Sequence, residues 1–559
     1  MAAVLIGSNR RTSRKERIWL LVIILLVLVT TSLPYIYGYR SSPPDKEFMG
    51  IILGTPDTTQ YYSWMRGFGH SALIDNQMTA EPTERVFFNL LWWLLGQLAV
   101  WTGWSLATIY QIFRIVTVAA FVPLTYWACG LFTNSARQQW VAFSIALFGA
   151  GLGWVLVAAK YLFGGDLIWP FDVYTVEPNS FLSLMAFPHF SNAATLIVIV
   201  LVLYLAALER RRVVYAVGAG LVGLVLGLIH AYDLLLIYAV VGLAALAIAW
   251  RDKRWREPIV YTGLVGLISC PGAIYSFYIT QAFPTWRDVL AQFVNAGAWT
   301  PSPLHLPILL GLPFILALMA LFIQRPFVSR NDRDLFIKVW FVVHCFIIYL
   351  PVNYQIHYLN GWQFPMAILA SRALLDTVVP WLGKRMPVRV RQSPRLGAML
   401  AAIFLVAVIP TNVYLFTWRF YDLSRHSHPY YLHRDEVAAL KWLDQNGTPD
   451  DVVFSGVEVG QYIPGLSGSR AFLAHWAMTL DLYSKQNAVK AFYDETWPDV
   501  ERRRVLEIYR VTYVLWGQQE RALGKLDPKS LPYLVEVFSA PEAQLYRVDL
   551  KSSVGMSHD

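Results

Sequence analysis

Long apolar runs separated by short polar segments dominate the chain. Runs of this kind lie at about 18–37, 107–132, 138–162, 190–208, 213–230, 233–250, 258–280, 304–323, 335–352, 361–382 and 397–418. About 20 apolar residues in a helix cross the hydrocarbon core of a bilayer, which is about 30 Å thick. The pattern therefore predicts a polytopic α-helical membrane protein with about eleven transmembrane helices.

One further apolar segment, Val86 to Trp101, is shorter, rich in tryptophan and preceded by a polar loop. These features favour a helix that lies in the membrane interface over one that crosses the bilayer. With that assignment and a cytoplasmic N-terminus, most clusters of Lys and Arg fall on one side of the membrane. These clusters are Arg10–Arg17, Arg137, Arg210–Arg212, Arg251–Arg256, Arg325–Lys338 and Lys384–Arg395.

The charge distribution thus predicts a basic cytoplasmic N-terminus at 1–17 and a transmembrane domain at 18–418, with long outer loops at 38–106 and 163–190. The formal net charge is +9, but the basic residues form short clusters between apolar runs rather than one long face. We therefore expect membrane lipids and no nucleic acid as partners. The three cysteines all lie inside apolar runs, which is not the pattern of a disulfide framework or a metal site.

The character of the sequence changes after Trp418, and no apolar run from about 430 to 559 is long enough to span a bilayer. The pattern predicts a soluble extracytoplasmic α/β domain at 430–559. Its predicted helices are Arg434–Gln445, 481–494 and 499–509, and its predicted strands are Val452–Ser455, 512–516, 533–538 and 543–548. The order of the strands in the sheet does not follow from the sequence.

Polar and ionisable side chains concentrate in three groups that the predicted topology places on the outer side of the membrane. The first loop contributes Asp57, Tyr61, Arg66, Glu81 and Arg85, the second contributes Asp172, Glu177 and His189, and two short turns contribute His230, Asp233, Tyr354 and His357. In a compact bundle these side chains would line one outward-facing cavity.

The stretch GTPDTTQYYSWMRG, from Gly54 to Gly67, follows the first predicted span. Pro56 and its polar neighbours indicate a helix start, where Asp57 would cap the first backbone amides. On such a helix Asp57 and Tyr61 share one face, and Arg66 projects to the side. A carboxylate beside aromatic rings at the bilayer surface also suits the deprotonation of a hydroxyl group next to a lipid substrate. Both roles of Asp57 are open on this evidence.

This layout resembles the large family of C-type integral-membrane glycosyltransferases, which use polyprenyl-phosphate sugars. The likeness lies in the cytoplasmic N-terminus, the Asp of the first long outer loop, the interfacial helix after it, the long second outer loop and the C-terminal α/β domain. It implies an inverting transfer, at the plasma membrane, to a lipid, glycan or protein of the cell envelope.

In that resemblance Asp57 is the general base, and cationic groups stabilise the departing lipid phosphate, with Arg66 and His189 as candidates. No nucleotide sugar is needed, in agreement with the lack of a glycine-rich phosphate loop in the sequence.

Three alternatives fit the same features. A divalent metal held by Asp172, Glu177 and His189 would be another source of positive charge, although their spacing matches no specific metal motif. A flippase or transporter would move a lipid-linked sugar without changing it covalently. A non-catalytic scaffold of an envelope assembly would use the C-terminal domain for docking.

Overall fold

The computed structural model describes residues 12–166, 171–297, 299–323, 331–387 and 395–550. Residues 167–170 of the predicted second outer loop lie outside these ranges, and so do several members of the predicted basic clusters. These members are Arg10, Arg11, Arg325, Arg330, Arg389 and Arg391.

The described chain divides into two compact units, each built from separate stretches of sequence. Unit 1 comprises the described residues of Met1–Leu33, Phe113–Ser276 and Ala298–Trp418, and unit 2 those of Pro34–Ile112, Phe277–Gly297 and Arg419–Asp559. The first long loop therefore clusters with the C-terminal residues.

Helices make up most of the described chain up to Ser424. In chain order its elements are α1 (Arg14–Ser41), β1 (Lys46–Phe48), α2 (Thr55–His70), α3 (Leu90–Thr102), α4 (Leu106–Phe132), α5 (Ala136–Phe148), α6 (Gly153–Phe163), α7 (Phe171–Tyr174), α8 (Ser180–Ala186), α9 (Pro188–Arg210), α10 (Val213–Ile229), α11 (Asp233–Asp252), α12 (Arg256–Ala282), α13 (Pro284–Ala291), α14 (Leu306–Ile323), α15 (Asp332–Ile347), α16 (Gln363–Gly383), α17 (Leu396–Val408) and α18 (Pro410–Ser424). Single 3₁₀ turns occupy Gln292–Ala296 and Gln355–Leu359.

Each of the eleven predicted apolar runs coincides with a helix or a bent helix pair. In the described residues, seven helices are long and apolar enough to cross a membrane, or nine if the bent pairs α5–α6 and α17–α18 each count as one span. The two remaining runs form α10, with 17 residues, and α15, with 16 residues. The chain is thus a polytopic α-helical membrane protein. Helix α3 has 13 residues and is not among the candidate spans.

Burial distinguishes the helices at the centre of unit 1 from those at its surface. Helix α9 is 72% buried over its most apolar window, whereas the corresponding figure is 22% for α1 and α12. Large apolar side chains such as Leu21 and Leu25 on α1 and Leu267 on α12 are exposed. A helix that exposes such residues is stable when lipid tails cover them.

Helices α10 and α12 approach each other closely because small residues line their contact. A Cβ atom added at Gly272 would lie only 2.7 Å from the backbone carbon of Gly227, and one added at Gly220 would lie 2.8 Å from Ile268. Close backbone approach at glycine is the usual way in which apolar helices associate in a membrane, where the hydrophobic effect between helices is weak.

Two arginines that lie inside apolar helices have hydrogen-bond partners on neighbouring helices. Arg114 on α4 donates to the hydroxyl groups of Thr31 and Ser32 of α1 at 2.7 Å each. Arg372 on α16 donates to Asp334 at 2.7 Å and to the carbonyl oxygen of Phe132. These bonds join helices within unit 1, so a structural role accounts for both charges.

The C-terminal part of unit 2 has the predicted α/β character. Its elements are β2 (Tyr431–His433), α19 (Arg434–Asn446), β3 (Val452–Phe454), α20 (Val457–Gly460), α21 (Ile463–Leu466), β4 (Arg470–Ala471), α22 (Leu482–Phe492), α23 (Asp499–Ile508), β5 (Val511–Trp516), α24 (Gln518–Leu523), β6 (Leu534–Ser539) and β7 (Gln544–Val548). Every predicted helix and strand of this domain overlaps one of these elements. The short strand β4 was not predicted.

The sheet of unit 2 is mixed and has the strand order β4-β3-β5-β7-β6. Strand β3 runs parallel to β4 and β5, with Val453 opposite both Ala471 and Tyr513, whereas β7 runs antiparallel to β5 and β6. Strands β1 and β2 form a separate antiparallel pair, which ties the segment after α1 to the start of the C-terminal residues. Both pairings lie within unit 2.

The loop between α2 and α3 covers the edge of this sheet at β4. The backbone N–H of Ala471 donates to the carbonyl oxygen of Gln77 at 3.0 Å. Beside it, Arg470 pairs with Asp75 and donates to the carbonyl oxygen of Asn76 at 3.1 Å. The side chains of Arg470 and Asp75 are 6% and 7% exposed, so the pair is buried.

A second buried cation fixes the same loop. Nζ of Lys485, whose side chain is 0% exposed, lies 2.6 Å from a carboxylate oxygen of Glu81 and 3.0 Å from the hydroxyl group of Thr79. Burial lowers the pKa of Lys485, and the neighbouring charge of Glu81 acts in the opposite direction. The loop after α2 is therefore held to the C-terminal residues by two ion pairs.

Replacing Arg470 by alanine should destabilise unit 2 by about 3–5 kcal/mol, because the carboxylate of Asp75 would stay buried without its main partner. The measurement is denaturant unfolding of the purified protein in detergent, followed by tryptophan fluorescence. Arg503→Ala is the matched control, since Arg503 pairs with Asp499 on the surface, where the Asp499 side chain is 47% exposed. It should cost less than about 1 kcal/mol, and equal losses for the two variants would contradict the assignment.

Candidate functional site

Helix α2 carries Asp57 in its first turn. The chain enters this helix through Gly54, whose backbone has φ 59° and ψ 51°, a left-handed conformation that glycine adopts easily. Pro56 occupies the first turn, where no intrahelical N–H bond is lost. The N-cap residue is Gly54 and no described side chain caps this end of the helix, so the capping role considered for Asp57 is not observed.

Two N–H groups approach one oxygen of the Asp57 carboxylate. Nε2 of His475 lies 3.4 Å from Oδ1 of Asp57, and Nε1 of Trp476 donates to the same oxygen at 3.3 Å. Within the described ranges, Oδ2 has no hydrogen-bond or ion-pair partner. The Asp57 side chain is 34% exposed and that of His475 is 1% exposed. One oxygen is therefore held, and the other is open to a reactant.

The loop from Ala474 to Thr479 orients the His475 ring through its own backbone. The N–H groups of Ala477 and Met478 donate to Nδ1 of His475 at 3.0 and 3.2 Å. The N–H of His475 in turn donates to the hydroxyl oxygen of Thr479 at 3.0 Å. The loop is thus closed by bonds to both the backbone and the ring of His475.

Two residues that follow α13 bind backbone carbonyl groups of the loop from Ala474 to Thr479. The side-chain amide of Gln292 donates to the carbonyl oxygens of Ala477 and Thr479 at 2.8 and 2.9 Å, and that of Asn295 donates to the carbonyl oxygen of Trp476 at 3.0 Å. No pattern in the sequence indicates this role, because amide side chains in a short turn are not distinctive.

Aromatic rings continue from Asp57 along α2. The ring of Tyr61 stacks on Trp92 of α3 at a centroid distance of 4.2 Å and lies 5.8 Å from the ring of Trp64. Trp64 contacts Phe87 at 4.6 Å, and Phe87 stacks on Trp286 at 4.9 Å. The row of rings packs α2 against α3. Tyr61 lies one helical turn after Asp57 on α2.

Two other predicted site residues of the first loop, Arg66 and Glu81, pair with charged residues of unit 2. Arg66 pairs with Asp444 and donates to the carbonyl oxygen of Leu466 at 3.1 Å. It follows Asp57 by nine residues, which is about half a turn out of phase on an α-helix. These contacts favour a structural role for Arg66 over the predicted phosphate contact. Glu81 is the partner of Lys485 described above.

Arg85 is different because it remains largely in the open. Its side chain is 62% exposed, and its Nε lies 3.7 Å from a carboxylate oxygen of Asp75. Because Arg85 is itself largely exposed and the contact is long, this pairing contributes little to stability. Arg85 therefore retains a solvent-accessible positive charge.

In unit 1, the predicted site residues of the second and third groups come together around three histidines. The rings of His189 and His230 are 5.5 Å apart. The Phe190 ring contacts two of the histidines, at centroid distances of 5.6 Å from His230 and 5.8 Å from His357. We call His189, His230, His357 and their carboxylate and tyrosine partners the histidine cluster.

The carboxylate members of the histidine cluster are Glu177 and Asp233. Nδ1 of His357 lies 2.5 Å from a carboxylate oxygen of Glu177, and Nδ1 of His230 lies 3.4 Å from a carboxylate oxygen of Asp233. The Asp233 side chain is 0% exposed, whereas that of His357 is 24% exposed. The cluster thus has a deep end at Asp233 and an accessible end at His357.

Tyrosine rings border the accessible end of the histidine cluster. Tyr232 stacks on His357 at a centroid distance of 5.2 Å, and its hydroxyl group lies 3.0 Å from Nδ1 of His230. Tyr354 lies 5.9 Å from the ring of Tyr232. The predicted residues Glu177, His189, His230, Asp233, Tyr354 and His357 therefore share one neighbourhood, although they come from three segments.

Asp172 is not part of that neighbourhood. Its Oδ2 accepts from the N–H of Gly153 at 2.8 Å and from the hydroxyl group of Thr411 at 3.0 Å, at the start of α6. Its Oδ1 is buried without a partner among the described residues. Burial raises the pKa of Asp172 to about 6, although the bonds from Gly153 and Thr411 act to lower it. Asp172 thus serves the end of a helix.

The predicted metal ligands Asp172, Glu177 and His189 are not gathered around a common point. No three His, Cys, Asp or Glu side chains in the described ranges are grouped so as to hold a metal ion. Asp172 contacts Gly153 and Thr411, and Glu177 contacts His357. These three side chains do not fit a shared metal.

His475 and Trp476 are the members of the site that sequence analysis did not assign to Asp57. Position 475 lies 418 residues beyond position 57, and no periodicity or motif connects the two. The adjacent His and Trp in a turn of a soluble domain are the only local signal.

No protein-family model matches the chain, and no curated protein is significantly similar to it in sequence. Several solved structures are similar in fold. One is the oligosaccharyltransferase AglB from Archaeoglobus fulgidus in complex with an inhibitory peptide and a dolichol-phosphate, at a TM-score of 0.54 and 14% identity, covering 98% of this chain and 76% of that one.

Two further structures belong to bacterial proteins. ArnT from Cupriavidus metallidurans bound to undecaprenyl phosphate is similar at a TM-score of 0.50 and 11% identity, with 95% of this chain and 98% of that one covered. The arabinofuranosyltransferase AftD from Mycobacteria is similar at 0.51 and 14% identity, over 97% of this chain but only 40% of AftD. The chain therefore has the fold of the C-type membrane glycosyltransferases, as the sequence resemblance implies.

The Asp172→Asn variant should gain folding stability relative to the wild type as the pH rises. The pKa of Asp172 is raised in the folded protein from 3.8 to about 6, so the folded state binds a proton that the unfolded state has released. Stability of the wild type therefore falls as the pH rises from about 4 through 6, and asparagine removes this dependence.

The difference in stability between Asp172→Asn and wild type should shift in favour of the variant by about 1 kcal/mol between pH 5 and pH 8. Thermal unfolding in detergent at the two pH values measures it, with the exposed Asp166→Asn as control. A difference that does not change with pH would contradict the assignment.

Proposed function

We propose that this protein is an inverting membrane glycosyltransferase that transfers a sugar from a polyprenyl-phosphate donor to a hydroxyl group of an acceptor outside the cytoplasm. The observation that carries the proposal is the Asp57 carboxylate, held through Oδ1 by two N–H donors and open at Oδ2. The fold supports it, because similar structures include a complex of AglB with a dolichol-phosphate and one of ArnT with undecaprenyl phosphate.

Asp57 acts as the general base in this proposal. The acceptor oxygen attacks the anomeric carbon of the donor sugar, and its proton passes to Oδ2 of Asp57. A new carbon–oxygen bond forms as the bond from the anomeric carbon to the phosphate oxygen breaks, and the lipid phosphate leaves with the electron pair. A positioned carboxylate contributes about 10²–10⁴-fold to such a step.

Within unit 1, the histidine cluster is a candidate contact for the phosphate of a polyprenyl-phosphate lipid. Polar groups that are placed in advance stabilise negative charge on such a phosphate. His357 is the most accessible of the three rings, and its pairing with Glu177 at 2.5 Å fixes its orientation. Tyr232 and Tyr354 add aromatic surface and hydroxyl groups at the same end. Within unit 1, we therefore propose His357 and His230 for the phosphate contact.

The distribution of basic residues supports a cytoplasmic N-terminus and an extracytoplasmic C-terminal domain in the plasma membrane. We expect helix α3 to lie at the extracytoplasmic interface of the plasma membrane, because it is short and exposes Leu94, Val100 and Trp101. In that orientation, Asp57 acts outside the cytoplasm on a donor already presented there, so no nucleotide sugar is required.

Replacing Asp57 by asparagine should reduce sugar transfer at least about 100-fold, because the amide cannot take the acceptor proton. The assay uses the purified protein in nanodiscs, a panel of radiolabelled polyprenyl-phosphate sugars and an extract of envelope lipids and glycans as acceptors. Asp45→Asn is the control, since the Asp45 side chain is 59% exposed and also lies in unit 2.

Full transfer by the Asp57→Asn variant at unchanged protein yield would contradict the assigned base. Movement of intact donor across sealed vesicles without any covalent product, in the wild type, would instead favour a flippase.

A further inference from the structure

We infer that His475 is a positioning residue for Asp57: its ring is locked as the tautomer that carries the proton on Nε2, and this N–H holds Oδ1 so that Oδ2 faces the acceptor hydroxyl group. The inference rests on the proposed function for its catalytic consequence. The hydrogen-bonded arrangement itself is a property of the fold that can be tested without any substrate.

The tautomer follows from the partners of Nδ1. Both groups that approach this atom, from Ala477 at 3.0 Å and Met478 at 3.2 Å, are backbone N–H groups, which only donate. Nδ1 must therefore accept, and it carries no proton. In a neutral imidazole the proton then lies on Nε2, the atom that is 3.4 Å from Oδ1 of Asp57.

The surroundings leave the ring no alternative orientation with the same bonds. The side chain is 1% exposed, and the ring packs against that of Trp476 at a centroid distance of 4.8 Å. Turning the ring over would remove Nδ1 from two backbone donors and leave these buried groups unpaired, which is costly. The loop backbone thus determines which ring nitrogen meets Asp57.

The loop itself is tied to the segment that follows α2. The hydroxyl group of Thr479 accepts from the N–H of His475 at 3.0 Å and donates to the carbonyl oxygen of Met78 at 2.8 Å. Asn76 donates to the carbonyl oxygen of Met478 at 2.7 Å. The loop that follows α2, the helix of Asp57, therefore also fixes the position of His475.

Two donors on one oxygen give the carboxylate a defined direction. Trp476 donates to Oδ1 at 3.3 Å, so His475 and Trp476 engage the same oxygen. A carboxylate that is free to rotate would present either oxygen, and orientation of a reacting group is itself a large part of catalysis. The arrangement keeps Oδ2 for the proton of the acceptor.

A purely structural role for His475 makes a different prediction, and two substitutions separate the roles. Asparagine places an acceptor oxygen near the position of Nδ1 and can keep the bonds from Ala477 and Met478, but it has no donor that reaches Asp57. Glutamine is longer and places a donating amide near the position of Nε2. The ring's two functions are thus divided between His475→Asn and His475→Gln.

The first experiment needs no substrate. Thermal unfolding in detergent is measured for Asp57→Ala, His475→Asn and the double variant. If the two side chains interact, the double variant should unfold at a temperature at least 2 °C higher than the sum of the single losses predicts, a non-additivity expected of groups in direct contact. Losses that add up within error would overturn the inference, whatever the activity.

The second experiment measures transfer from a radiolabelled polyprenyl-phosphate sugar. His475→Asn should lower kcat at least tenfold with an unchanged KM for the donor, and His475→Gln should recover at least threefold of that loss. His70→Asn, an exposed histidine at the end of the same helix, should have wild-type activity. Wild-type kcat in His475→Asn, beside an inactive Asp57→Asn, would overturn the positioning role and leave the proposed base in place.

If the wild type transfers no sugar from any donor in the panel, the proposed function fails. The non-additivity of the unfolding temperatures still decides whether His475 holds Asp57.

Discussion

The buried ion pair between Asp75 and Arg470 is the interaction on which the candidate site of unit 2 depends. The two residues are 395 positions apart, and their pairing brings the loop after α2 against the edge strand β4. Because both charges are buried, each is tolerated only in the presence of the other. The second pair, Glu81 with Lys485, fixes the same loop a few residues later. Together they allow a carboxylate on α2 to meet a ring on the loop after β4.

Within unit 1, the histidine cluster is built differently. Its members come from the ends of helices and from turns, where polar side chains can contact one another. Tyr232 stacks on His357. His230 and His357 each pair with a carboxylate. The group combines imidazole rings and carboxylates, and its deep end at Asp233 is buried. Asp57 belongs to unit 2 and the histidine cluster to unit 1.

Much of the fold follows from the sequence because its elements are defined locally. The apolar runs predict the helices, and the helix Arg434–Asn446 and the strand Val511–Trp516 lie within about two residues of their predicted limits. Strand β4 has two residues, too few for any pattern to mark it. Its place at the sheet edge depends on Arg470, whose partner is remote in sequence.

The candidate site divides in the same way. Asp57 stands out because it is followed by aromatic residues in the first loop after a predicted span, whereas His475 becomes visible only when the loop from Ala474 to Thr479 folds beside it. Arg66, for which a phosphate contact is predicted, pairs with Asp444, a partner 378 positions away that no local pattern indicates. Local pattern finds reactive residue types, and long-range packing determines which of them meet.

The most direct test of the account is to identify the lipids that remain bound when the protein is purified from its native membrane in mild detergent, by native mass spectrometry. We expect a polyprenyl phosphate or its sugar ester, which should be lost in a His357→Ala variant and retained in an Arg66→Ala variant. Recovery of bulk phospholipids alone, even after addition of polyprenyl-phosphate sugars in excess, would contradict the account.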